Sequence, residues 1–123
     1  MKVKDLLNNI ETWFTGFTGL TYYCEFITDV KETYNEKPNN LKYCYISDIC
    51  INDENKTVDI TLERDLDNSV FIYRDDFKSL FDNIDPNYDI TFWYEIEHHK
   101  TRIVDIDEVN ILDDNIKIKF TER

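Results

Sequence analysis

Thr57-Val58-Asp59-Ile60-Thr61-Leu62 returns further along the chain as Asn115-Ile116-Lys117-Ile118-Lys119-Phe120. In both hexapeptides apolar and polar residues alternate strictly, which is the period-two signature of a strand with one face buried. Val58, Ile60 and Leu62 form one face of the first, and Ile116, Ile118 and Phe120 the matching face of the second. The two segments lie 58 residues apart, and what precedes each of them also corresponds. Ile46-Ser47-Asp48-Ile49 aligns with Ile103-Val104-Asp105-Ile106 at an offset of 57, and Lys4-Asp5-Leu6-Leu7-Asn8-Asn9-Ile10-Glu11 with Lys78-Ser79-Leu80-Phe81-Asp82-Asn83-Ile84-Asp85 at 74. The matches keep their order, and the loop at residues 31–40 absorbs the difference in spacing.

Working outward, Val3, Leu6, Leu7 and Ile10 recur at helical spacing, and Gly16-Phe17-Thr18-Gly19 breaks the helix with two residues free to take positive φ. Tyr22, Cys24 and Phe26 alternate with Tyr23, Glu25 and Ile27 as a strand, and a second strand follows near Leu41–Ile51. Asn52-Asp53-Glu54-Asn55 is the turn into the segment quoted first. Asp75 and Asp76 supply negative charge where a second helix begins, and Pro86 closes that helix. Ile90, Phe92, Tyr94 and Ile96 then alternate with Thr91, Trp93, Glu95 and Glu97. The pattern is helix–strand–strand–strand twice, at 3–62 and 77–120, with a short strand at Val70–Tyr73 between. Each copy is too small to bury much alone, so the two should share one core in a single domain spanning residues 1–123. The expected fold is α+β: two layers, antiparallel sheet against two short helices, as a duplicated αβββ module.

The segments Lys4–Ile10 and Lys78–Ile84, with the hairpins at 46–62 and 103–120, resemble small acidic phage-encoded αβββ proteins, anti-CRISPR-like in general character. Those proteins open with a Lys-x-x-[Asp/Glu]-Leu-[Leu/Ile] helix and end in an acidic hairpin. The resemblance implies a phage or mobile-element origin and carries over no functional residue.

Composition narrows the class. Among 123 residues there is no Ala and no Gln, against fifteen Ile, twelve Asn and eight Tyr, a bias that points to an AT-rich genome and favours strands over helices. Leu, Ile, Val and Phe make up 37 residues, too many for a disordered acidic chain. No apolar run is long enough for a membrane span, and the first residues are patterned as a polar helix rather than a signal peptide, so a cytoplasmic protein of a bacterial host is expected. Cys24, Cys44 and Cys50 form no CxxC pair, and an odd count fits a reducing compartment, with each expected as a small buried apolar residue.

Chemistry finds little footing. In Glu95-Ile96-Glu97-His98-His99 the side chains at i and i+4 of a strand start ~13 Å apart, so one metal ion cannot easily collect them; the run reads as a hairpin end. No nucleophile elbow exists, the two histidines are adjacent, and Asp53-Glu54-Asn55 and Asp65-Leu66-Asp67-Asn68 lack the glycine and closing glutamate of a calcium loop. Neither a cofactor nor an enzymatic activity is expected.

Charge is what stands out. Twenty-six acidic against fourteen basic residues give a net −12; residues 1–62 hold ten acids and six bases, residues 63–123 sixteen and eight. Five acids and no base lie between Lys78 and Lys100, and five more between Arg102 and Lys117. On a strand, i and i+2 are ~6.6–6.8 Å apart on one face, so Glu95/Glu97 and Asp105/Asp107 offer carboxylates at about the interval of successive phosphates along a nucleic-acid strand. The expected contact surface is Trp93, Glu95, Glu97, Asp105, Asp107 and Glu108, with Asp113 and Asp114 at a hairpin tip and Trp93 as an aromatic anchor. The partner expected is a basic protein, a nuclease or nucleic-acid-binding effector, with no direct binding of nucleic acid or membrane. The function expected is a non-enzymatic acidic inhibitor that mimics nucleic acid in the basic groove of a nuclease, as a phage anti-CRISPR or other counter-defence protein; an immunity protein or antitoxin, and a phage structural or assembly accessory protein, are the alternatives.

Overall fold

The computed structural model describes residues 1–17, 22–33, 35–37, 40–96 and 100–123. In chain order its elements are α1 (Val3–Trp13), β1 (Tyr23–Thr28), β2 (Lys42–Asn52), β3 (Thr57–Arg64), β4 (Ile72–Tyr73), α2 (Arg74–Ser79), β5 (Asp89–Ile96), β6 (Lys100–Ile111) and β7 (Asn115–Glu122). At the start of α1 the Asp5 carboxylate accepts the backbone N–H of Lys2 at 2.9 Å, half of a capping box, and Val3, Leu6 and Ile10 turn its apolar stripe inward. After α1 the chain turns at Gly16, whose φ of +91° suits a residue without a Cβ.

β1–β2–β3 is an antiparallel meander, and β5–β6–β7 is another. Two parallel pairings join them: β3 with β5, with Ile60 opposite Phe92, and β1 with β7, with Phe26 opposite Ile118. Those joints close six strands into a barrel, with β4 added outside against Tyr23 and Cys24 of β1. Each meander carries a β-bulge at the same place, Ser47 in β2 and Asp107 in β6, which sharpens the bend a closed sheet needs.

Closure overturns the expected two-layer α+β arrangement: half of the chain is strand and 15% is helix, and the sheet wraps on itself instead of lying flat beneath two helices. The inward residues of opposite walls fill one interior, where Phe92 packs on Phe120 at 4.9 Å and Phe26 on Phe120 at 6.0 Å between ring centres. Val3, Leu6 and Ile10 of α1, Phe77 of α2 and Phe81 in the turn after it belong to this same core.

Equivalent positions in the two halves follow from strand register. Ile60 and Ile118, both fully buried, lie at the same point of β3 and β7. Cys44 of β2 and Val104 of β6 both face a buried phenylalanine, Phe26 and Phe92, so these strands correspond at an offset of 60 rather than 57. Lys2 bridges to Asp89 just as Tyr73 pairs with Tyr23, which aligns the helices at 71 rather than 74. Leu6 therefore corresponds to Phe77. Leu80, expected as its core counterpart, is 36% exposed. The second helix starts earlier than its sequence match and ends at Ser79, with turns from Leu80 onward. Cys24 and Cys44 are buried, and burial pushes both thiols up to about 12, but Cys50 is exposed on the outer side of β2.

One barrel end is shut by the segment after β1. Val30 enters the core, and the buried ammonium of Lys42 donates to its carbonyl and to Glu36. Glu32 accepts the Tyr94 hydroxyl at 2.8 Å and the Arg64 guanidinium at 2.9 Å. Burial alone would raise the Glu36 carboxyl; hydrogen bonds from Lys42, the Glu32 backbone N–H and Asn40 outweigh it and hold the group at about 2.

Candidate partner-binding surface

With Val58, Ile60 and Leu62 turned inward, alternation sends Asp59, Thr61 and Glu63 outward. Register then sets these residues in rows across three strands. Cys50, Asp59 and Thr91 form one row; Asp48, Thr61 and Trp93 the next; Tyr45, Glu63 and Glu95 the third. The bulge at Ser47 is what brings Asp48 and Cys50 onto this outer face. Neighbouring strands lie ~4.7–4.9 Å apart, so Glu63 and Glu95 stand side by side. The Tyr45 hydroxyl registers this: the charge of Glu63, then burial, with Asp65 and Glu95 adding, raises it above the ordinary phenol range. Trp93 lies half-buried on the face, its indole N–H donating to Asp59 at 2.9 Å. Among the described residues, no outward position of β2, β3 or β5 is Lys or Arg. Their two cations, Lys42 and Arg64, have inward parity and serve the network at the barrel end.

The wall made by β6, β7 and β1 is different. Asp105 binds Arg123 through two hydrogen bonds of 2.8 and 3.0 Å, which hold its carboxyl below the ordinary range. Lys119 lies 3.7 Å from Asp107 and 3.6 Å from Asp29, and Glu108 stands opposite Lys119 in the ladder. Arg102 meets Glu122 at 3.4 Å. Lys117 lies over the Tyr43 ring, and its ammonium is raised above its usual value by hydrogen bonding to Tyr43, with Glu25 contributing.

The eight residues singled out in the sequence therefore divide. Trp93 and Glu95 lie on the acidic wall. Asp105, Asp107 and Glu108 lie on or beside the ion-paired wall, and Asp113 and Asp114 are exposed in the β6–β7 turn. Glu97 lies outside the described residues, as do His98 and His99. β5 and β6 are neighbours, but Glu95 stands opposite Thr101, and Asp105 is four residues away along the ladder, level with Thr91. Their carboxylates do not form facing rows. Asp48, Asp59, Glu63 and Tyr45 were not singled out; alternation gave the outward position of Asp59 and Glu63, but only the parallel β3–β5 joint places Glu63 beside Glu95.

Among the described residues, no group of three His, Cys, Asp or Glu side chains is placed to hold a metal ion, and no helix is long and apolar enough to cross a membrane. Comparisons with protein families, curated proteins and solved structures return no match.

Proposed function

We propose that this chain is a non-enzymatic acidic inhibitor that sets the β2–β3–β5 wall against the basic nucleic-acid groove of a nuclease, as a phage anti-CRISPR or other counter-defence protein would. One observation carries the reading: Asp59, Asp48 and Glu63 stand on three successive rows of a face without outward Lys or Arg among the described residues. A partner rich in Lys and Arg is drawn to this face by its carboxylates and by the net charge of −12. Trp93, held by Asp59 in the middle of the face, supplies the flat apolar contact around which such interfaces concentrate their energy.

The test is capture from host lysate at low and high salt, with Asp48→Lys/Glu63→Lys as the altered bait. The reading expects a nuclease that is retained at low salt and lost both at high salt, where screening acts within ~3 Å at 1 M, and with the altered bait. A nuclease held equally in all arms would remove the phosphate-mimic mechanism. Hydrolysis of a nucleotide or ester by the purified chain at useful rates would remove the non-enzyme assignment. Recovery of a toxin nuclease would move the assignment to an immunity protein, and recovery of virion components to an assembly accessory.

A further inference from the structure

β1 divides its partners. Phe26–Thr28 pair with β2, but Tyr23 and Cys24 turn to β4, so the sheet forks at Cys44. Beyond the fork, β2 from Tyr45 to Asn52 pairs with β3 alone among the described residues, which leaves its other row of N–H and C=O groups facing the gap. A cavity of about 170 Å³ lies in the fork, lined by Phe26, Cys44, Ile46, Val70, Ile72 and Leu80 among others. That is the space of five or six waters at ~30 Å³ each, or one branched apolar side chain. Its rim is fixed in place: the buried Asp65 carboxylate accepts the N–H groups of Ser69 and Val70 at 2.8 and 2.7 Å and sets the turn that leads to β4.

The rim is apolar where water reaches it, with Val70, Phe71 and Leu80 exposed by 44%, 46% and 36%. Acids flank these residues in the chain, Asp67 before Val70, Asp76 after Tyr73 and Asp48 beside the bulge in β2, while Asp75 is already paired with Arg74 at 3.1 Å. An unpaired strand edge beside an apolar socket is the arrangement that takes up an extended peptide as an added strand. The charge selects the occupant. A second copy would bring another −12 to the same face, whereas a basic segment would be attracted.

We propose that the fork between β2 and β4 binds an extended segment of a basic partner, which adds to the β2 edge at residues 45–51, seats one apolar side chain in the socket and lays flanking Lys or Arg against the acids around it. The inference is independent of the nuclease reading, since the fork is assayed with a peptide alone and either can fail while the other stands.

The probe is a labelled peptide of alternating lysine and valine with a central leucine, followed by fluorescence anisotropy. The variants Val70→Asp and Leu80→Asp change exposed side chains and make the rim more acidic while removing its apolar contact. Saturable binding that each variant weakens tenfold or more, together with slowed hydrogen exchange at the amides of residues 45–51, is the expected result. Equal or tighter binding by the variants would show that charge alone attracts the peptide and would overturn the site. So would the absence of saturable binding, unchanged exchange along β2, or equal binding of the peptide with glutamate in place of lysine. A dimer of the free protein in sedimentation that Val70→Asp abolishes would assign the fork to a second copy instead, and would equally overturn the proposal.

Discussion

β3 and β7 occupy equivalent places in the two meanders and bury the same kind of face: Val58, Ile60 and Leu62 in one, Ile116, Ile118 and Phe120 in the other. Their outward residues run Asp59, Thr61, Glu63 in β3 and Lys117, Lys119, Thr121 in β7. Two strands alike in pairing and interior are opposite in surface charge. The interior answers to packing and admits little variation, whereas the outer face is free to be acidic on one wall and ion-paired on the other. A charge that only kept the protein soluble could have been spread evenly. Its concentration on the wall of β2, β3 and β5 is what the proposed function draws on.

The comparison breaks most sharply at a buried cation. Lys42 opposes Thr28, and Arg102 opposes Tyr94, at equivalent places in their meanders. Lys42 is 4% exposed and bound to Glu36, whereas Arg102 meets Glu122 in water. Lys42→Ala should cost ~3–5 kcal/mol in chemical denaturation, because it strands a carboxylate and a carbonyl, and Arg102→Ala should cost ~0–1 kcal/mol. Equal losses would mean that the two meanders close this barrel end in the same way. Acid titration sharpens the point. Glu36 is depressed from its ordinary 4.5 to about 2, so its stabilisation is fully present above about 4.5 and is lost as pH falls to about 2. Denaturation midpoints of the native chain should fall across that window, and Lys42→Ala should flatten the slope.

Next in size are the two isoleucines. Ile60→Ala and Ile118→Ala should each cost ~2–5 kcal/mol, and by similar amounts, since both side chains are fully buried at equivalent points. A loss below ~1 kcal/mol at either would remove the inward assignment of that strand.

The outer walls give a smaller effect on binding. Asp48→Lys/Glu63→Lys should weaken capture of the basic partner tenfold or more, about 1.4 kcal/mol, while Asp107→Lys/Glu108→Lys on the ion-paired side should change it less than threefold. The reverse ranking would move the contact surface to the β6 side. Smallest of all is Arg123→Ala, which frees Asp105 on an exposed rim and should shift stability by no more than ~1 kcal/mol.

Much of this was legible in the sequence, and the failures have definite causes. Alternation located the strands because half-buried strands repeat every two residues, and it placed Trp93 and Glu95 on a common face. It could not show closure. The joints that shut the barrel, β3 with β5 and β7 with β1, are parallel, so no turn residue marks them, and an open sheet with the same hairpins would carry the same pattern. The alignment of β2 with β6 slipped by three residues because the Ile/Asp repetition matches equally well at a neighbouring register. The helices slipped by the same amount because Leu6 pairs in function with Phe77, not with the more similar Leu80. On the surface, counting acids by halves of the chain was misleading: β7 brings its lysines to β6, and Asp107 and Glu108 meet them, so the more acidic half holds the better compensated wall.

The pairing of β1 with β7 also sets a timetable. Tyr23 and its ladder partner Asn115 are 92 residues apart, so during synthesis β1 leaves the ribosome well before the strand that completes it. At ~5–20 residues per second that interval is roughly 5–20 s, during which the nascent chain shows an unpaired β-edge to its crowded neighbours on the same polysome. An acidic chain is repelled by its own unfinished copies over that interval, so the net negative charge acts to hold growing chains apart.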